Sequence, residues 1–347
     1  ASNADFGLHL THTDPRRPLF CSSIMSRDKN RPGEGLYQKR PLSIEEQIGQ
    51  LKDRGLHFSN ENMARYHLAN IGYYRLSAYW LPFEQGTKSD GHRDHAFRHG
   101  TDFSQVISLY RFDCRLRSLT MEALERIEIS VRTHWAHELA IAKGPHAHMN
   151  SDLFESPWDH AQDLARIARE IEKSKETFVQ HYKSNYTTPY LPPIWATVET
   201  LSFGSLSRWI QKTKDEKIKK SIAKGIGLPA NVSILEGVLH ALTPVRNVCA
   251  HHGRLWNRKL TIRLPVIKPY SDQMNIEHLT SPSGEKTQTS NYLYNYLLIA
   301  AIIMQHVDRE NDWTRRLKAH LDTLEKPSYI RDMGFPDDWE SMPTWRE

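Results

Sequence analysis

Residues 103–142 read FSQVISLYRFDCRLRSLTMEALERIEISVRTHWAHELAIA. Apolar side chains recur at Val106, Ile107, Leu109, Leu116, Leu119 and Leu124, a spacing that turns one helical face towards a core. Few breakers interrupt the run, and Asp102 stands where a capping side chain can accept from the first turn. The stretch predicts a long helix, either continuous or as two helices in line, and sets the fold class as all-α.

Working outward, helical patterns recur on both sides. Ser43 with Glu46 reads as a capping box for a helix over 44–54 that Gly55 ends. Asn60 can cap a second helix, whose continuation over 68–83 is dense in aromatics, Tyr73, Tyr74, Tyr79, Trp80 and Phe83, as a core is. Residues 86–100 read as a polar loop. Beyond the long helix, Ser156 and Pro157 suit the start of one over 157–182, because proline in the first turn lacks only an N–H that has no partner anyway. A Pro-rich connector at 189–193 precedes helical patterns over 195–212, 216–225, 232–242, 291–307 and 313–324. Only 261–267 alternates like a strand, and Pro265 confines it to an edge or a hairpin arm. The expected organisation is a poorly packed arm over 1–38, a helical body over 39–260, and a loop or short strand with C-terminal helices over 261–347 completing the bundle.

Composition excludes fibrous and disordered classes: of 347 residues, 39% are hydrophobic and 25% charged, as in ordinary globular proteins. No run reaches the roughly 18 apolar residues that cross a bilayer. The nearest, 292–307, holds Asn295 and Gln305 and reads as a buried helix. Nothing argues for export, and three widely separated cysteines, Cys21, Cys114 and Cys249, fit a reducing compartment, so the expected location is the cytoplasm. A net charge of +5 with a pI near 8.9 permits an anionic partner without naming one.

Chemistry concentrates in PVRNVCAHHGRLWNR, residues 244–258, which puts Arg246, Asn247, His251, His252, Arg254 and Arg258 close together in the chain. On a regular helix Asn247 and His251 share a face, whereas Arg246 is displaced from His251 by about 140° and must reach round on its long stem. These residue types suit RNA cleavage by transesterification, in which the 2′-hydroxyl loses a proton, the phosphorane is stabilised and the 5′-oxygen gains a proton. Histidine titrates near neutrality and serves as base or acid. Arginine's planar fork holds a phosphate and offsets developing charge, and Asn247 can orient the substrate or the imidazole. One segment supplies too little for both proton transfers, which implies a homodimer with two copies meeting at a two-fold interface. The plainer alternative has Arg246 paired with a neighbouring acid, Asn247 and His251 finishing the helix end, and Cys249 and Ala250 packed inward.

Arg246-Asn-x-x-Ala-His251 resembles the Arg-x4-His signature of the HEPN superfamily of helical ribonucleases. Longer words resemble the Abi-like, abortive-infection proteins over about 39–258: IGYYRLSAYW at 71–80, YRFD at 110–113 with RLR at 115–117, PIWATVE at 193–199, LSFG at 201–204, and Arg246-Asn247 followed by HHGRLWN at 251–257. The resemblance implies a HEPN-type helical bundle with additional N-terminal and C-terminal helices, dimerisation, RNA as substrate or partner, and a role in phage defence. By position it makes Arg246 and His251 the defining catalytic pair with Asn247 beside them, and His252 leaves two imidazoles as candidates.

A second Arg-x4-His occurs at Arg132-Thr-His-Trp-Ala-His137, where Glu128 stands four residues before Arg132 in the favourable order for a helical ion pair, so a structural role is expected. Glu125 or Glu128 can alternatively anchor Arg246. His92, His95 and His99 are spaced like metal ligands, but their flanking Arg93 and Arg98 and the absence of a cysteine favour a solvated or RNA-facing loop; His146 and His148 are weaker candidates still. No metal or other cofactor is expected. Arg254, Trp256, Arg258 and Lys259 mix charge with an aromatic ring as single-stranded RNA sites do, although Trp256 can equally plug the core. Lys214, Lys217, Lys219 and Lys220 read as a wet face. Two other classes stay open: a non-cleaving RNA-binding module working with a structured or regulatory RNA, and a purely protein-binding toxin or antitoxin partner.

Overall fold

The computed structural model describes residues 39–87, 93–281 and 284–346, so the expected arm over 1–38 lies outside the described residues. Thirteen α-helices dominate the described residues: α1 (Ile44–Asp53), α2 (Glu61–Ile71), α3 (Tyr73–Trp80), α4 (Phe103–Lys143), α5 (His160–Lys173), α6 (Thr177–Asn185), α7 (Ile194–Thr197), α8 (Phe203–Lys212), α9 (Glu216–Gly225), α10 (Val232–Ala250), α11 (Leu293–Val307), α12 (Trp313–Leu321) and α13 (Pro327–Arg331). Two small antiparallel hairpins accompany them, β1 (Glu84–Thr87) with β2 (Arg93–Phe97) and β3 (Ile276–Ser281) with β4 (Gly284–Thr289). The fold is all-α.

The organising element is α4, one unbroken helix of 41 residues and about 60 Å. Its start is a complete capping box: Asp102 accepts from the Ser104 N–H while Gln105 accepts from the Asp102 N–H at 3.1 Å. Its apolar face, from Phe103 through Leu139, is buried under α3, α8, α9, α10, α11 and α12. Helix α11, buried at every position from Leu293 to Met304, lies along α4 and ties the C-terminal helices into the same unit as the rest of the chain from Ile44. Asn295 is tolerated inside it because its amide group exchanges two 2.8 Å hydrogen bonds with the backbone of Asn275. No helix among the described residues is long and apolar enough to cross a membrane.

Several expected elements divide or shift. The helix expected over 68–83 breaks at Gly72, where φ is +90°, and Tyr74 is exposed while Tyr79, Trp80 and Phe83 are core. The 157–182 pattern splits into α5 and α6, because Ser174 bonds the Glu176 N–H in place of continuing the ladder, and Asp159, not Ser156, caps α5. Helix α7 and a turn precede α8, which Ser202 caps. No strand forms over 261–267, while parts of the expected polar loop at 86–100 and the unpredicted 276–289 segment do pair as hairpins.

The most consequential shift is at α10, expected to end at 242. It runs through Pro244 to Ala250, although proline frees the His240 carbonyl and costs about 3 kcal/mol in a helix interior. Leu239, Ala241, Leu242, Val245 and Cys249 are all buried on both sides of the proline, and that packing carries the helix onward. Arg246 and Asn247 are therefore helical residues in its last turns.

Candidate functional site

The end of α10 positions His251 and His252. Two backbone bonds close it, from the Gly253 N–H to the Val248 carbonyl at 2.8 Å and from the His252 N–H to the Cys249 carbonyl at 3.2 Å. This is the Schellman arrangement, which demands a left-handed residue and usually recruits glycine. Here His252 takes it, at φ +56°. Arg75 of α3 holds the turn from outside, its guanidinium donating to the His252 carbonyl at 2.5 Å. Asn247, His251 and His252 are exposed, and His251, the capping residue at φ −94° and ψ 15°, has left helical geometry.

Arg246 is only partly covered, with 27% of its side chain exposed, and its Nε lies 3.4 Å from Oε2 of Glu128 on α4. Glu128 is buried, and its other oxygen accepts from Arg132 one turn along. Arg132 donates further to the Leu201 carbonyl at 2.7 Å and lies 3.7 Å from a Glu199 oxygen. One carboxylate is thus shared by the arginines of both Arg-x4-His segments. Arg246 is paired with a neighbouring acid, as the plainer alternative expected, while its partial exposure leaves it open to a substrate.

A second buried network fixes the chain that leaves the site. Asp113 of α4, fully buried, accepts from the Tyr79 hydroxyl at 2.6 Å, from the Trp256 N–H at 2.6 Å, from the Leu255 N–H at 3.1 Å and from Arg117. Burial pushes the Asp113 carboxyl up, against the pull of these donors. Arg254 donates to the Ala78 carbonyl at 2.8 Å, and burial lowers its pKa. Trp256 is 0% exposed, with its indole N–H on the Tyr329 carbonyl. The RNA-stacking reading of Trp256 is therefore corrected: it is a core plug, and Arg254 is a tether. Arg258 and Lys259 stay exposed, with Lys259 over the Tyr292 ring.

Elsewhere, His137 is exposed in the last third of α4. His92 lies outside the described residues, and His95 reaches Glu84 at 3.6 Å. Lys219 is not part of a wet face: it is buried, donating to Glu236 at 2.8 Å and to the Gln211 carbonyl at 2.7 Å, whereas Lys214, Lys217 and Lys220 are exposed. Cys249 is packed inward, and burial raises its thiol to about 12, so it is no nucleophile at neutral pH.

Sequence reasoning missed three participants. Arg75, Asp113 and Glu199 each lie inside one of the longer family-like words, but their roles depend on contacts between α3, α4, the turn after α7 and the α10 turn that no spacing encodes. A cleft of about 650 Å³ also opens beside the site, lined by α3, α4 and the end of α10.

No curated protein and no solved structure matches the chain. The sequence model of the Abi-like protein family matches residues 66–257, more than half of the 347 residues, and spans both networks from Tyr79 to Trp256. Such a match supports a role in abortive infection, and on it the chain belongs to the Abi-like protein family.

Proposed function

We propose that the chain is a metal-independent endoribonuclease of the HEPN type, acting in abortive infection through Arg246, Asn247 and His251. The observation that carries this reading is the placement of Arg246: it is held by the buried Glu128 yet partly exposed, at a helix end where Asn247 and His251 are open to solvent. An imidazole takes the 2′-hydroxyl proton, the 2′-oxygen bonds to phosphorus, and the bond to the 5′-oxygen breaks as that oxygen receives a proton. The products are a 2′,3′-cyclic phosphate and a 5′-hydroxyl. Arg246 offsets charge on the phosphorane, with Glu128 fixing its direction. Base and acid come from His251 of two copies across a two-fold interface.

Purified protein on total RNA in EDTA tests this, with Arg246→Ala and His251→Ala as controls. Cleavage with cyclic phosphate ends, absent in both variants, is expected. Dependence on added magnesium, or ends other than a cyclic phosphate and its hydrolysis product, overturns it. Wild type that binds RNA and never cuts would instead mark a binding module.

A further inference from the structure

The cleft beside the α10 turn has the volume of a small-ligand pocket, about 650 Å³. Two of its charged lining groups are already spent. Arg117 is neutralised by Asp113, and Glu122 pairs with Arg126 at 2.9 Å and with Arg316. Arg75 and Glu125 remain, one of each sign. Arg75 is exposed beyond its single bond to the His252 carbonyl, and exposed Glu125 makes no hydrogen bond or ion pair with another described residue. Between such groups the lining is mostly apolar or aromatic, from Met121, Cys249, Ala250 and the half-buried Tyr110, with Ser118 spending its hydroxyl proton on the Cys114 carbonyl at 3.1 Å. A flat ring with one polar edge satisfies this combination better than a second phosphate, which the free carboxylate would repel.

We propose that this cleft holds a single nucleobase and that Glu125 selects guanine. An ionised carboxylate accepts two parallel hydrogen bonds and donates none. Guanine alone presents two adjacent donors on its pairing edge, the ring N1–H and the exocyclic amine. Adenine and cytosine set one amine beside a ring acceptor, and uracil sets one N–H between two carbonyls. Arg75 meets the attached phosphate. Because His252 belongs to both the cleft and the turn that carries His251, a base seated there sets the register of a strand at Arg246. That role on a strand rests on the RNA-cutting reading, whereas affinity for the base does not.

Cys114 lines the cleft and is half-buried, so its alkylation by iodoacetamide, mapped by mass spectrometry, reports occupancy. GMP, AMP, CMP and UMP are titrated separately against the wild type and Glu125→Gln. GMP is expected to protect Cys114 about tenfold more tightly than the other three, the worth of one bidentate base contact. In E125Q, an exposed substitution whose folding is checked by circular dichroism, that preference should vanish. Equal protection by all four, protection by none, or a guanine preference that survives E125Q overturns the proposal. A 2′-O-methyl oligonucleotide with one guanine separates the sources: displacement of GMP marks a strand's base as occupant, and failure to displace it marks a free guanine nucleotide. Neither measurement needs cleavage, so an inert protein that binds GMP would refute the nuclease and keep the pocket.

Discussion

Arg132 to His137 and Arg246 to His251 have the same spacing, and Glu128 touches both arginines, yet the two segments differ in everything else. Arg132 sits inside α4, well short of its end at Lys143, and is absorbed by Glu128, the Leu201 carbonyl and Glu199. Its histidine rides a helix that continues to Lys143, so the 140° between the two positions is preserved. Arg246 has the single anionic contact with Glu128, and its helix stops at Ala250. His251 is the last residue to keep the helical ladder, its N–H on the Asn247 carbonyl at 2.9 Å, and the chain turns away immediately after it at His252, whereas α4 runs on past His137 to Lys143. Spacing nominates a site, and the helix end makes one usable.

The sharpest way to break this contrast is a rate measurement on a fluorogenic RNA. With the proposed chemistry, Arg246→Ala and His251→Ala each lower cleavage by at least about 100-fold, the usual scale for losing an acid–base or charge-stabilising group. His137→Ala should change it by no more than about twofold. Equal losses at the two histidines would mean that both segments act, and the helix-end argument would fail.

Burial gives a third histidine a different fate from the exposed His137 and His251. His148, 0% exposed in the turn after α4, has its pKa lowered to about 4 by burial and then by the neighbouring imidazoles His146 and His160. An unfolded imidazole titrates near 6.5, so between these values the unfolded chain binds the extra proton. Stability is therefore full above about 6.5 and falls as the pH drops towards 4, by roughly 3 kcal/mol from this group. Urea titrations at pH 7, 5.5 and 4.5 should show a shallower acid loss in His148→Leu than in the wild type. Parallel curves would show that His148 titrates normally.

The long helix and the all-α class were legible because α4 has an apolar face, a capping aspartate and no interruption, all local properties. The buried character of α11 was legible for the same reason. The extent of α10 was not, since a proline at 244 reads as a stop and only the packing of Val245 and Cys249 overrides it. In the candidate site, Arg246, Asn247 and His251 were legible as a motif, and Glu128 as a partner for either arginine. Trp256 could not be resolved between core and surface, because an aromatic among arginines suits both until Asp113 and Tyr329 are seen to hold it. Arg75 was invisible in its role, lying 177 residues from the carbonyl it grips.

The shared carboxylate yields the finest distinction between the two segments. Glu128 is buried, so it needs a cationic partner, but Arg132 supplies more of that need than Arg246 does. Breaking a fully buried ion pair costs about 3–5 kcal/mol; with 16% of the Arg132 side chain exposed, Arg132→Met should cost about 2 kcal/mol. Arg246→Met leaves Glu128 bonded to Arg132 and removes a 3.4 Å contact whose buried Nε makes no hydrogen bond, so about 1 kcal/mol or less is expected. Urea unfolding of both variants, read as midpoints at constant slope, decides the order. If Arg246→Met were the costlier change, Arg246 would be the structural arginine, and the assignment of roles to the two segments would reverse. If the order holds, the weak tethering of Arg246 is what leaves its guanidinium free to meet a phosphate, while Arg132 keeps the carboxylate in place.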